Sequence, residues 1–140
     1  MNSKTMTDST LANEFATDTM GLVLRIERRR PGPAARAIFD AAEAGNVTVY
    51  VPAMVFAEIL YLSEKRKIDI SLSDVAEHLR QHPNYQEYPM SFAVVRTAAQ
   101  ITDIRELHDR LIAGTARLLD RALITNDPMI QASAFVQTVW

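Results

Sequence analysis

Four carboxylates in this 140-residue sequence stand where chemistry would need them: Asp18, Glu58, Asp109 and Asp127. Asp18 directly follows a short run that reads as a strand, and Asp127 follows another that ends at Thr125. Glu58 lies six residues past Pro52, in a helix expected to leave a further strand, and its helical neighbours Met54, Val55, Tyr61 and Leu62 are apolar. An ionised group in such surroundings calls for a partner, because desolvation alone is costly. Asp109 opens a turn of helix followed by the small and apolar residues Leu111 to Ala116. Each acid also has an ordinary structural reading. Asp18 and Asp127 suit N-caps or turns, Asp109 suits the positive end of a helix dipole, and Glu58 could pair with Lys65 or Arg66.

Together the four fit one site. Two carboxylates ~4 Å apart repel by ~4 kcal/mol at an effective dielectric of about 20. A cluster of four therefore persists only by taking up protons or binding cations. Oxygen ligands with no histidine or cysteine among them favour Mg²⁺ or Mn²⁺ over zinc. Such a site serves mainly to hold a phosphate ester, activate a water and stabilise the leaving oxygen. Residue chemistry alone reaches metal-dependent phosphoryl chemistry.

The elements that must position these acids follow from turn signals at short intervals. Glu14 to Thr17, Val47 to Val51, Tyr85 to Tyr88, Ala122 to Thr125 and Phe135 to Trp140 read as strands. Helices are expected over Thr19 to Arg29, Ala34 to Ala44 (ended by Gly45-Asn46), Pro52 to about Lys65, Ser71 to just before Pro83, Ser91 to Ile101, and Glu106 to Asp120. Ser73 and Glu77 stand one residue off a capping box. Alternating strands and helices imply a parallel sheet covered on both faces by right-handed crossovers, a three-layer α/β sandwich. Ligands bind such sheets beyond the carboxyl ends of the strands, where these acids fall. Residues 1–12 are polar and unpatterned and are expected to form a flexible tail before one domain spanning 13–140.

The spacing is also recognisable. Asp18-Thr-Met, Pro52-Ala-Met-Val-Phe-Ala-Glu58-Ile-Leu, His108-Asp-Arg-Leu-Ile-Ala-Gly-Thr-Ala116 and Leu123-Ile-Thr-Asn-Asp127 resemble the acidic motifs of a PIN domain, in the order found in VapC-like toxins. The resemblance covers about Phe15 to Trp140, and the block from Asp109 through Asp127 is its most specific part. It implies a small parallel sheet flanked by helices, with Asp18, Glu58, Asp109 and Asp127 as both catalytic residues and the Mg²⁺/Mn²⁺ site. It further implies hydrolysis of RNA phosphodiesters by a metal-activated water, leaving a 5′-phosphate and a 3′-hydroxyl. Thr125 falls at a hydroxyl position that supports the metal site, and the expected partners are RNA, a second copy of the chain and a small antitoxin. One departure stands out: Met20 occupies a position where PIN domains usually carry Ser or Asn.

Other polar residues are weighed against solvated helix ends. Arg25, Arg28, Arg29 and Arg30, and the knot Lys65-Arg66-Lys67, could grip RNA phosphates beside an acidic pocket; Arg25, Arg28, Arg110 and Lys65 are the candidates. His108 invites a general-base role that a metal-activated water does not need, and Asp103 is a possible fifth acid.

Composition narrows the classes. The chain is 48% hydrophobic and 23% charged with a net charge of −2, an ordinary globular balance with no overall basic excess. The absence of cysteine removes disulfides, thiolate nucleophiles and zinc ribbons, and leaves a reducing cytoplasm as the expected setting. No stretch is apolar enough over ~20 residues to span a bilayer, and the N-terminus lacks the apolar core of a secretory signal. The four glycines form no dinucleotide fingerprint or P-loop, and Asp18-Thr-Met-Gly lacks the second acid of a DxDxT phosphatase. The alternative to a ribonuclease is a non-catalytic PIN-like scaffold for RNA or protein.

Overall fold

The computed structural model describes residues 13–140, so the expected N-terminal tail, 1–12, lies outside the described residues. Twelve elements follow one another: β1 (Glu14–Thr17), α1 (Thr19–Ile26), α2 (Pro33–Glu43), β2 (Thr48–Pro52), α3 (Ala53–Glu64), α4 (Leu72–Gln81), β3 (Tyr85–Tyr88), α5 (Phe92–Ala99), α6 (Leu107–Leu119), β4 (Ala122–Ile124), α7 (Pro128–Gln131) and β5 (Thr138–Val139). The strands form one sheet in the order β3-β2-β1-β4-β5, with every pairing parallel. Helices pack on both faces, giving the three-layer α/β sandwich that alternating strands and helices predict.

Strand order decides where a ligand can sit. The chain leaves β1 toward β2 and β3 on one side, then returns to place β4 and β5 on the other. The carboxyl end of β1 is thus the point where the winding reverses, and a crevice opens there because the flanking helices diverge. Ala16 pairs with Tyr50 on one side and Leu123 on the other, so the residue just beyond β1 is Asp18, held by its amide bond to the Ile124 carbonyl at 3.0 Å.

Burial explains the elements. Val49, Val51, Leu123 and Ile124 are fully buried, as expected of near-continuous apolar strands covered on both faces. Leu22, Phe39, Ile59 and Ile112 supply the fully buried faces of α1, α2, α3 and α6. Six consecutive residues of α6, Leu111–Ala116, are buried. A helix can be buried around so much of its girth only where its neighbours come close, and Gly114 permits this. A Cβ there would lie 3.0 Å from the Cα, Cβ and backbone nitrogen of Ala98 in α5. Gly114→Val is therefore expected to force α5 and α6 apart and lower stability by about 1–3 kcal/mol, read as a fall in Tm.

Several boundaries differ from expectation. Helix α1 ends at Ile26 rather than Arg29, because Arg28 turns into the left-handed region at φ 59°. The helix over Leu72–Gln81 is capped by Ser71, with Asp74 closing the capping box, so Ser73 and Glu77 have no part in it. The last strand is two residues long, and the short helix α7 follows Asp127 where none was expected. Among the described residues no helix is long and apolar enough to cross a membrane.

Candidate metal centre

The site is assembled by four local structures. Asp18 caps α1: its extended backbone (ψ −178°) lets Oδ1 accept from the Gly21 amide at 2.8 Å. Gly21 is needed because a Cβ would fall 2.6 Å from Thr17 Oγ1 and 3.1 Å from Asp18 Oδ1. Asp127 caps α7 in the same way, accepting from the Met129 amide at 2.8 Å, with Pro128 at the first helical position. Asp109 sits in the first turn of α6, and Glu58 projects from the middle of α3. Asp18 and Asp127 are thus the N-caps that their structural reading expects, each capping through one oxygen.

These acids meet. Asp18, Glu58, Asp109 and Asp127 all line one cavity of about 360 Å³, with Thr19, Met20, Ile112 and Trp140 among its other walls. Thr125, buried at the end of β4, donates its hydroxyl to Asp18 Oδ2 at 2.6 Å and accepts from the Asp127 amide at 3.1 Å. One hydroxyl thus ties two acids together. Thr125→Val keeps the volume and removes both bonds. It is expected to cost about 1–3 kcal/mol in urea unfolding and to weaken Mn²⁺ binding roughly 10- to 100-fold by calorimetry.

The electrostatics report the crowding. Asp18 is 8% exposed, and burial pushes its carboxyl from 3.8 up to about 6; the bonds from Thr125 and Gly21 oppose this, and the charges of Asp127 and Glu58 add to it. Asp109 also rises to about 6, through burial first and then the charges of Asp127, Glu106, Glu58 and Asp18. Four carboxylates gathered at such a cost, with no histidine or cysteine in the lining, fit a hard divalent cation such as Mg²⁺ or Mn²⁺. A cation there would offset both the burial and the repulsion that raise these groups.

Two residues at the site were not legible as members from sequence, and a third is placed by its neighbours. Thr19 donates its hydroxyl to Glu58 Oε1 and fixes that carboxylate from the first turn of α1. It supplies, one residue earlier, the polar contact that Met20 cannot; Met20 itself is exposed at the rim. Glu106 caps α6 through Oε1, which accepts from the Asp109 amide at 2.8 Å. Its Oε2 lies 3.6 Å from His108 Nδ1, which is also 3.6 Å from Glu58 Oε2. Glu58, Glu106 and His108 thus present ligand atoms within 4.8 Å of one another on the outer side of Glu58. His108 belongs to the rim, beside Glu58. The only signal for Glu106 was an acid three residues before Asp109 at a helix start.

The remaining candidates lie elsewhere. Arg25 is bound at 2.6–2.8 Å by Asp40 and Glu43 of α2, an arrangement that holds its guanidinium charged. Arg28 is exposed in the loop after α1, and Lys65 is exposed at the end of α3, 5.7 Å over the Tyr61 ring. Arg110 is half-buried and is absent from the walls of the acidic cavity. Asp103 accepts from the Ser133 hydroxyl and the Ala134 amide, each at 2.8 Å, and so braces the segment before β5 rather than joining the four acids.

The fold and the cavity define a class: a parallel α/β domain with carboxylates gathered at the reversal point of its sheet. The chain belongs to the PIN domain family, whose model matches residues 18–136. Solved structures with the same fold include VapBC2 from Rickettsia felis bound to a DNA fragment from its promoter, with a TM-score of 0.70 and 18% identity over 91% of this chain and 98% of that one. DNA-bound VapBC from Salmonella typhimurium has a TM-score of 0.67 and 15% identity over 90% and 96%. FitAcB from Neisseria gonorrhoeae has a TM-score of 0.62 and 20% identity over 90% and 96%. No curated protein sequence matches the chain significantly.

Proposed function

We propose that this protein is an endoribonuclease dependent on Mg²⁺ or Mn²⁺, one nuclease domain over residues 13–140 acting in the cytoplasm as the toxin of a type II toxin–antitoxin pair. The observation that carries the reading is the convergence of Asp18, Glu58, Asp109 and Asp127 on one cavity at the reversal point of the sheet. Membership of the PIN family and likeness in fold to VapBC and FitAcB support it and favour a small antitoxin as partner; a second copy of the chain is proposed as a further partner from the family resemblance.

In this reading the four carboxylates hold the cation and Thr125 and Thr19 orient two of them. The cation, when bound, neutralises phosphate charge and lowers the pKa of water. The chain's own contribution is geometric. Asp18 is locked by the Gly21 amide and the Thr125 hydroxyl, Asp127 by the Met129 amide, and Glu58 by Thr19, so the ligands need little reorganisation. Ile112 and Trp140 close the cavity on its apolar side and limit bulk water.

The test is cleavage of single-stranded and structured RNAs by the purified chain in Mn²⁺, beside Asp109→Asn. Cleavage that leaves 5′-phosphate ends and is abolished in the variant is expected. Equal behaviour of the two proteins would overturn the reading in favour of a scaffold.

A further inference from the structure

A second cavity, of about 540 Å³, opens beside the far end of α1 and is lined by Arg25, Arg28, Arg29, Arg30, Arg36 and Glu43, with His78 at its wall. Its single lining carboxylate is already engaged: Glu43 accepts from Arg25 at 2.7–2.8 Å and from the Tyr85 hydroxyl at 2.7 Å. Arg29 is partly compensated by Glu27 at 3.2 Å. The side chains of Arg28, Arg30 and Arg36 have no ion pair or hydrogen bond among the described residues. His78 Nε2 is buried without a hydrogen-bond partner, 3.7 Å from Glu43. Three uncompensated guanidinium groups around one concavity, in a chain of net charge −2, form a concentrated local field for an anion.

The two cavities are linked by helix α1. Leu24 lines the acidic one and Arg25, its neighbour in the chain, lines the basic one. Helix α1 begins at the acids and ends among the arginines, about 12 Å away at ~1.5 Å per residue. The loop after Arg30 then returns to Gly32, which packs so closely on Trp140 that a Cβ would strike the Trp140 carbonyl, and Trp140 walls the acidic cavity. An extended polyanion seated on the arginines thus has the acids within about one length of α1, ~12 Å.

We propose that this arginine-lined cavity is a phosphate-binding exosite that anchors the RNA backbone a few nucleotides from the acidic centre. The inference rests on the ribonuclease reading above. It answers a physical difficulty of that reading, since four carboxylates repel the substrate they are to cut. Arginine suits the task because its planar fork matches a phosphate with two parallel hydrogen bonds, without reading base identity. An acidic peptide carries its charges on flexible side chains whose order depends on sequence, whereas RNA presents a phosphate at every nucleotide of its backbone whatever the sequence.

The experiment is fluorescence anisotropy of a labelled oligouridine, long enough to span both cavities, with the full chain in EDTA over a series of salt concentrations. The triple variant Arg28→Ser, Arg30→Ser, Arg36→Ser should bind at least roughly tenfold more weakly. Its slope of log K against log salt should fall by about 2, because each phosphate left without its arginine removes ~0.7 from the slope. The corresponding triple lysine variant should keep the slope. Wild-type affinity and slope in the serine variant would overturn the exosite, as would failure of the wild type to bind, or displacement of the oligouridine by added oligoglutamate more readily than by unlabelled oligouridine. The ribonuclease reading fails separately: acid-dependent cleavage with an unchanged slope removes the exosite alone, while an arginine-dependent slope without acid-dependent cleavage removes the nuclease alone.

Discussion

Asp18→Asn is expected to reduce Mn²⁺-dependent RNA cleavage by roughly a thousandfold, equivalent to about 4 kcal/mol of barrier, and at the same time to stabilise the metal-free protein at pH 8. The two effects share one cause. Asp18 is nearly buried and its carboxyl is held up to about 6 from 3.8, so the folded state binds its proton more tightly than the unfolded chain does. Stability is then highest below the unfolded value, falls as pH rises from about 3.8 to about 6, and stays reduced above that range. Complete removal of the charge would recover up to about 3 kcal/mol at 1.36 kcal/mol per pKa unit. Asparagine keeps an oxygen for the Gly21 amide, so the cap survives. Urea unfolding in EDTA at pH 8 measures the stability half of this expectation, and a variant less stable than the wild type would contradict it. The gain should shrink at pH 4, where the native carboxyl is protonated.

Cation binding should show the opposite pH dependence, with a large amplitude. Asp18 and Asp109 both titrate near 6, each raised first by burial. A cation can bind only where protons have left, so the apparent affinity for Mn²⁺ falls as pH drops through that range. Two such groups make binding roughly a hundredfold weaker at pH 5 than at pH 8, since about a tenth of each is ionised one unit below its pKa. Calorimetric titration at the two pH values reads this directly. A flat profile would show that neither carboxyl takes part in holding the ion.

What the sequence disclosed and what it withheld divide along the range of the interactions. The five strands were legible because buried parallel strands are short β-branched or apolar runs between turn signals, as in Val49–Val51 and Leu123–Ile124. Asp18, Asp109 and Asp127 were legible because each follows a strand or starts a helix, and Glu58 because it stood among apolar helical neighbours. Strand order was not legible, because nothing local states that β4 docks against β1. The ion pairs of Arg25 were not legible for a related reason: its partners, Asp40 and Glu43, are fifteen and eighteen residues away on another helix. Thr19 and Glu106 were missed since a hydroxyl and a capping acid leave no apolar period. Helix α7 was missed because four residues after Asp127 are too few for any periodicity.

Trp140 is the sole tryptophan of the chain. Its carbonyl is fastened to the Ala35 amide at 3.0 Å, and the residue forms part of the wall enclosing the four acids. The ultraviolet emission of the protein therefore arises beside the place where an ion would lodge. Paramagnetic Mn²⁺ should quench that light on binding and diamagnetic Mg²⁺ should displace the quencher, so occupancy of the centre can be followed in the native chain without a label.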